Sequence, residues 1–309
     1  MDSIEIRPFR RSDRDQLTGL VNAHVAAVMP GVSVTVNTVM SQLEREPGEF
    51  IVDPWVEERV TLVAEQRQTV AAAVHLHRYA DEERVDESYR GAGAVHWLVF
   101  APLAPAGSPY WTAGGDAARL LLAATIERFE GWGVSKQLAD ISLPAFGAYG
   151  VSTQWPHIRA AYEAAGFEHR GHTEIIFLAA VEDLPPPGPP PIDGMTVRRS
   201  LGINGTRFGA ELEGALIGYV ETGMLSGPRS LPATGWADIG NLHVEAAFRR
   251  RGIATWLLAQ VGEWLRLAGV TRLLDYAWPD QDACIELLES SGFRELTRTA
   301  RGWQRDVPR

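Results

Sequence analysis

Asn241-Leu242-His243-Val244-Glu245-Ala246-Ala247-Phe248-Arg249-Arg250-Arg251-Gly252-Ile253-Ala254-Thr255-Trp256-Leu257-Leu258 passes from a strand-like run ending at Val244, through a short turn, into an amphipathic helical pattern. The small residues Gly252 and Ala254 let the backbone come close to a ligand, and the first N–H groups of a helix have no partner within it. With the partial positive charge of the helix start and three flanking arginines, the segment reads as a socket for an anion, and a diphosphate suits it best. Two other readings of Arg249-Arg250-Arg251 compete: a solvated basic helix start, and a nucleic-acid contact. The second conflicts with a formal net charge of −10 and with the lack of aromatic residues interleaved among the basic ones.

Working outward, the chain of 309 residues is long enough for two domains, and its 45% hydrophobic and 22% charged residues fit a soluble globular protein. No apolar run approaches the roughly 20 residues needed to span a bilayer, and no secretory leader opens the chain. A single cysteine, Cys284, rules out internal disulfides and suits a reducing cytoplasm. The run Leu184-Pro185-Pro186-Pro187-Gly188-Pro189-Pro190-Pro191 reads as a stiff spacer, which sets the expected domains at 1–184 and 195–309 with a linker over 185–194. Charge divides unevenly across it. Residues 195–309 carry 14 Arg against 13 Asp and Glu, a net +1, while the first 194 residues hold −11.

The halves repeat one another. Ala64-Glu65 and Val70-Ala71-Ala72-Ala73-Val74 match Ala210-Glu211 and Leu216-Ile217-Gly218-Tyr219-Val220 at an offset of 146, each a polar turn between two strands. Leu121-Leu122-Ala123 and Gly133-Val134 match Leu257-Leu258-Ala259 and Gly269-Val270 at 136, and Gly166-Phe167 pairs with Gly292-Phe293. Each half therefore reads as an α/β (α+β) unit: a strand, a meander of strands, a long helix, a strand, a second helix and a final strand. Between its first two strands the N-terminal half inserts residues 11–60, with helical periodicity, where the C-terminal half has only 201–205.

Arg249-x-x-Gly252-x-Ala254, with Val244 before it, Leu257-Leu258 after it and Gly292-Phe293 downstream, resembles the acyl-CoA pyrophosphate loop of the GNAT N-acetyltransferase superfamily. The resemblance covers 195–309 and, through the repeat, extends to 1–180, a tandem GNAT arrangement similar to that of mycothiol synthase. It implies two domains, each a mixed, mostly antiparallel sheet flanked by helices. It also implies acetyl-CoA as acyl donor, with the pantetheine arm beside Leu242-His243-Val244 like an added strand and the phosphates on the N–H groups of Arg250, Arg251, Gly252, Ile253, Ala254 and Thr255. The implied activity is N-acetyltransfer to a small amine by direct attack in a ternary complex. A non-catalytic acyl-CoA sensor or regulatory module is the alternative.

An amine protonated near pH 7 must lose a proton before it attacks a thioester. In the histone-acetylating branch of the family the base is a carboxylate six residues before the Val that ends the strand, here Asp238; an ordinary polar residue is the equal alternative, and Glu221 is the second candidate. Many members protonate the departing thiolate with a Tyr four residues before Gly-Phe. That position is Leu288 here, which cannot donate, whereas the N-terminal half keeps Tyr162; Tyr276 is a candidate stand-in. The N-terminal loop over 101–113, with Pro102, Pro105 and Pro109, is followed by Gly114-Gly115-Asp116, whose carboxylate sits where a phosphate would and repels it, so this half is expected to have lost acyl-CoA. Cys284 is read as packing, and His75-x-His77 and His169-x-x-His172 lack metal-ligand patterning, so no metal is expected. The expected partner is a small, cationic amine drawn by the acidic half, which would also wall the acceptor cleft. Nucleic acid and membrane are not expected partners, and monomer and homodimer both stay open.

Overall fold

The computed structural model describes residues 3–44, 53–101, 114–145, 147, 149–226 and 232–307. Two compact units emerge: residues 1–173 with 299–309, and residues 174–298. The expected cut at 185–194 thus moves to two places, and the reason lies in the final strands.

In the first unit, β1 (Glu5–Pro8) is followed by α1 (Arg14–Val28), α2 (Val36–Leu43), β2 (Val56–Gln66), β3 (Thr69–Tyr79), β4 (Ala92–Phe100), α3 (Gly114–Trp132), β5 (Lys136–Ala139), β6 (Val151–Ser152), α4 (Pro156–Ala164) and β7 (Glu168–His169). In the second, β8 (Thr173–Ala180) precedes β9 (Thr196–Gly202), β10 (Gly205–Leu212), β11 (Ala215–Ser226), β12 (Pro232–Val244), α5 (Ile253–Leu267), β13 (Arg272–Ala277), α6 (Asp282–Ser290) and β14 (Arg294–Ala300); β15 (Trp303–Arg305) closes the chain.

Both units are mixed, mostly antiparallel sheets with flanking helices, and the repeat is carried by backbone conformation as well as by sequence. The β2–β3 turn holds Arg67 and Gln68 at φ 52 and 62°, and the β10–β11 turn holds Glu213 and Gly214 at 51 and 82°. Two consecutive left-handed residues make the tight turn whose twist suits a hairpin. Gly133 and Gly269, at φ 64 and 73°, end α3 and α5 in the left-handed conformation that stops a helix.

The last strands are exchanged. β8, which ends the N-terminal repeat, lies antiparallel to β13 of the second unit, with Phe177 opposite Asp275. β15, which ends the C-terminal repeat, lies antiparallel to β5 of the first, with Trp303 opposite Ala139. The first unit's sheet accordingly runs β1-β2-β3-β4-β5-β15-β7, and the second unit's runs β14-β8-β13-β12-β11-β10-β9.

In the first unit α3 covers one sheet face, where the ring of Phe129 packs so close to Gly93 that a Cβ there would sit 2.7 Å away. The other face meets α2, whose Gln42 accepts a hydrogen bond from the indole N–H of Trp97 on β4 at 2.8 Å. In the second unit Ile253, Leu257, Val261 and Leu265 of α5 pack with Phe208, Val220, Ile239 and Leu273 of the sheet. Leu184 and Ile192, at either end of the proline run, join this core, and Trp256 Nε1 donates to the Gly188 carbonyl at 3.0 Å. The run is therefore docked along α5 rather than held free as a spacer. On the opposite face the second unit has no counterpart of α1 and α2, because β9 and β10 are joined by a tight hairpin with Gly202 opposite Gly205.

Candidate active site

The parallel pairing of β12 with β13 covers only Trp236, Ala237 and Asp238 against Arg272, Leu273 and Leu274. Beyond it β12 stays paired with β11 as far as Val244 opposite Gly218, while β13 stays paired with β8 as far as Ala277 opposite Ile175. Residues 239–244 thus have a strand on one side and an open slot on the other. A bulge at Gly240 bends β12 where the slot opens, since Glu221 faces Asn241 while Thr222 faces Ile239. Leu242, His243 and Val244 line this edge with main-chain groups, which an extended amide chain can pair with.

The slot leads to the Arg249–Thr255 loop. Arg249 Nε donates to the Val244 carbonyl at 2.9 Å and ties the turn to the strand end. Arg250 takes φ 62° and Gly252 φ 80°, both left-handed. Such alternation around neighbouring residues turns successive N–H groups inward as an anion nest. Gly252 caps α5 with no side-chain hydrogen bond, so Ile253, Ala254 and Thr255 begin the helix with N–H groups not capped by a side chain. The Arg250 side chain pairs with exposed Glu286 at 3.3 Å, and the Arg251 guanidinium lies over Phe248, 5.6 Å from the ring centre.

Asp238 sits at the last position of β12 that pairs with β13, opposite Gly223 on β11. Burial pushes its carboxyl up to about 6, a value suited to a group that gains and loses a proton near neutrality. Glu221 shares that sheet face but is engaged differently. Its fully buried carboxylate accepts from Arg207 Nε at 2.7 Å and from the backbone N–H groups of Asn204 at 3.2 Å and Ile203 at 3.4 Å. Burial opposes its charge, yet Arg207 and the two N–H groups hold it below the usual range. The geometry makes Glu221 the anchor of the β9–β10 hairpin.

Tyr276 is half-buried on β13 opposite Ile176 of β8. Leu288 is fully buried in the core. Cys284 on α6 has its thiol pushed up to about 11 by burial and by Asp275, which fits packing rather than nucleophilic attack. Asp275 escaped the sequence reading altogether. A lone acid within Leu273-Leu274-Asp275-Tyr276-Ala277 was the available signal. It is 7% exposed, and burial pushes its carboxyl up to about 8, with the charge of Asp238 adding to the shift.

The first unit shows the same bulge, with His96 at the position of Gly240, but no slot. After Val95 and Ala139 the strands stay bonded, Asp140 N–H donating to the Val95 carbonyl at 3.1 Å and Ser142 N–H to that of His96 at 2.9 Å. His75 and His77, both buried, touch through their Nε2 atoms at 3.1 Å, and His96 stacks on His77. Tyr162 is fully buried among Phe167 and Trp303, its hydroxyl without a partner among the described residues. Asp116 lies in the first turn of α3 beside Arg119 at 3.7 Å, and the expected loop with Pro102, Pro105 and Pro109 lies outside the described residues. Among the described residues no group of three His, Cys, Asp or Glu is placed to hold a metal ion, and no helix is long and apolar enough to cross a membrane.

Residues 160–293 match the family model of the acetyltransferase (GNAT) family. A tandem GNAT protein from the clavulanic acid biosynthesis pathway, solved without AcCoA, superposes with a TM-score of 0.64 at 16% identity, covering 99% of this chain and 100% of that one. A GCN5-related N-acetyltransferase from Sphaerobacter thermophilus superposes at 0.61 with 15% identity, covering 99% and 98%. No curated protein sequence matches the chain. The chain thus has the fold of a tandem GNAT protein, and its residues 160–293 are similar to the acetyltransferase (GNAT) family.

Proposed function

We propose that the chain is an acetyl-CoA-dependent N-acetyltransferase that binds acyl-CoA in the second unit and passes the acetyl group directly to a small amine. The slot between β12 and β13, leading to the N–H nest of Arg250–Thr255, carries this reading. Pantetheine amides would pair with the free edge at Leu242, His243 and Val244, and the diphosphate would rest on the start of α5. The amine would approach from the face bearing Asp238, which would take its proton. The bonded strands of the first unit support a single acyl-CoA site.

Calorimetry with acetyl-CoA tests the site. Wild type should bind, and Gly252→Glu, which places a carboxylate in the nest and a side chain at φ 80°, should lose at least a hundredfold in affinity. Equal binding by both proteins would overturn the assignment. The buried Leu288, unable to donate a proton, is the observation that favours an acyl-CoA sensor instead. Thiol release from acetyl-CoA with a panel of amines, polyamines, aminoglycosides and peptides separates the two, since a sensor binds and releases none.

A further inference from the structure

Leu288 leaves the C–S cleavage step without the usual donor, and a buried carboxyl, Asp275, stands on β13 where its pairing with β12 ends. In the paired part of β12 and β13, Asp238 stands opposite Leu274, so its side chain and that of Leu274 project to one face of the sheet. One residue further, Asp275 projects to the other face with Leu273 and Ala277, both members of the core under α5 and α6. The strands separate between these two carboxyls. Asp238 lies on the face over which the short β9–β10 hairpin folds, and Asp275 on the face packed by α5 and α6.

We propose that Asp275 is the catalytic acid of this site and gives the departing CoA sulfur its proton, while Asp238 takes the proton of the attacking amine. The inference rests on the acyl-CoA reading of the second unit. The amine nitrogen forms a bond to the thioester carbonyl carbon and releases a proton to the Asp238 carboxylate. The C–S bond breaks, its electron pair stays on sulfur, and the sulfur takes the Asp275 proton, leaving an amide and CoA thiol. Exchange with solvent then returns Asp238 to the carboxylate and Asp275 to the acid.

Three features suit Asp275 to this step. Its side chain is more than nine-tenths buried and receives one hydrogen bond, from the N–H of Tyr276 to Oδ1 at 2.7 Å, which leaves Oδ2 for a ligand. Its surroundings are apolar, with Phe177 opposite it on β8; Cys284 on α6, itself a neutral thiol, and Asp238 are the titratable groups that act with it. Burial thereby keeps the acid protonated at neutral pH, and the two carboxyls, at about 6 and about 8, are driven apart as an acid and base pair requires. In the first unit the residue at the place of Asp275 is Ala139, beside the bonded strands.

The full-length protein tests this in two stages that fail differently. Acetyl-CoA binding to wild type comes first; its absence overturns the acyl-CoA reading and this inference together. With binding in hand, the thiol of bound CoA is titrated through thiolate absorbance in wild type and Asp275→Asn. The variant should lower the thiol pKa by at least half a unit, because it removes a carboxylate that ionises beside the sulfur, while acetyl-CoA affinity changes less than threefold. Acetyl transfer to hydroxylamine, a small nucleophile that is largely uncharged at neutral pH, should fall at least tenfold in Asp275→Asn and recover in Asp275→Glu. Wild type alone supplies a readout independent of any variant's folding: the infrared carbonyl band of a buried protonated carboxyl should shift when CoA is added at pH 7. Identical thiol titrations in the two proteins, or an unmoved carbonyl band in wild type, would overturn the assignment even where acetyl-CoA binds.

Discussion

Asp238 and Glu221 occupy one face of one sheet, yet their surroundings suit them to opposite tasks. Glu221 is ionised and fully engaged: it receives Arg207 and two backbone N–H groups, and Gly202 lies so close that a Cβ there would stand 2.5 Å from Oε1. Moving a proton onto it would break the ties that hold the hairpin. Asp238 has burial without a cation, so its charge is costly and its proton exchangeable near neutrality. A base works only when ionised and an acid only when protonated, so acetyl transfer should rise with pH through about 6 and fall again above about 8 as Asp275 ionises. Asp238→Asn should lower kcat by about a hundredfold and remove that rise, given the usual 10²–10⁴-fold contribution of acid–base catalysis. A pH–rate profile of both proteins with one confirmed amine checks this; an unchanged acidic limb in the variant would exclude Asp238. Spacing from Val244 singles out Asp238 in the sequence as a candidate, because the bulge and strand end that fix its place are local. Asp275 lay outside any spacing rule, and its role depends on strands that part only in three dimensions.

At the level of elements, the contrast between the units lies in a few backbone bonds. Both carry the bulge, at His96 in one and at Gly240 in the other, but only in the first do bonds from Asp140 and Ser142 draw the next strand across it. The sequence exposed the repeat and the glycine turn that opens α5. It could not show whether the strands close, since those bonds are made by main chain that any side chain supplies. Gly240 has a further task. The β9–β10 hairpin folds over it, with Asn204 Nδ2 donating to its carbonyl at 3.3 Å, and a Cβ at Gly240 would meet Asn204 Cβ at 2.4 Å. Gly240→Ala should therefore destabilise the protein by about 1–3 kcal/mol through overpacking. Adding Asn204→Gly should recover more than half of that loss. Urea unfolding of the two single variants and the double variant measures the coupling, and simple additivity would show that the two residues do not press on each other.

Across the whole molecule, the exchange of final strands decides where the chain can be cut. The segments Glu168–His169 to Thr173–Ala180 and Arg294–Ala300 to Trp303–Arg305 end the two repeats in the same way. Nothing in their alternation of apolar and polar residues names the sheet each last strand joins, so the proline run looked like the natural boundary. Yet Ile175, Phe177, Ala179, Val181 and Leu184, all before that run, are buried in the core of the second unit. A fragment over 192–309 would lose all five and leave β13 without its β8 neighbour along six residues. Truncating one buried Phe typically costs 3–5 kcal/mol, against a total stability of about 5–15 kcal/mol for a domain. That fragment should be unfolded by circular dichroism, whereas 174–298, which keeps β8 and the docked proline run, should melt cooperatively and bind acetyl-CoA. A folded, acetyl-CoA-binding 192–309 would mean that β8 is dispensable and that the repeat can close its own sheet. The same logic applies at the other end. Ending the chain at 298 removes Trp303, 1% exposed and paired with both β5 and β7, so such a truncation should unfold the first unit while sparing acetyl-CoA binding by the second.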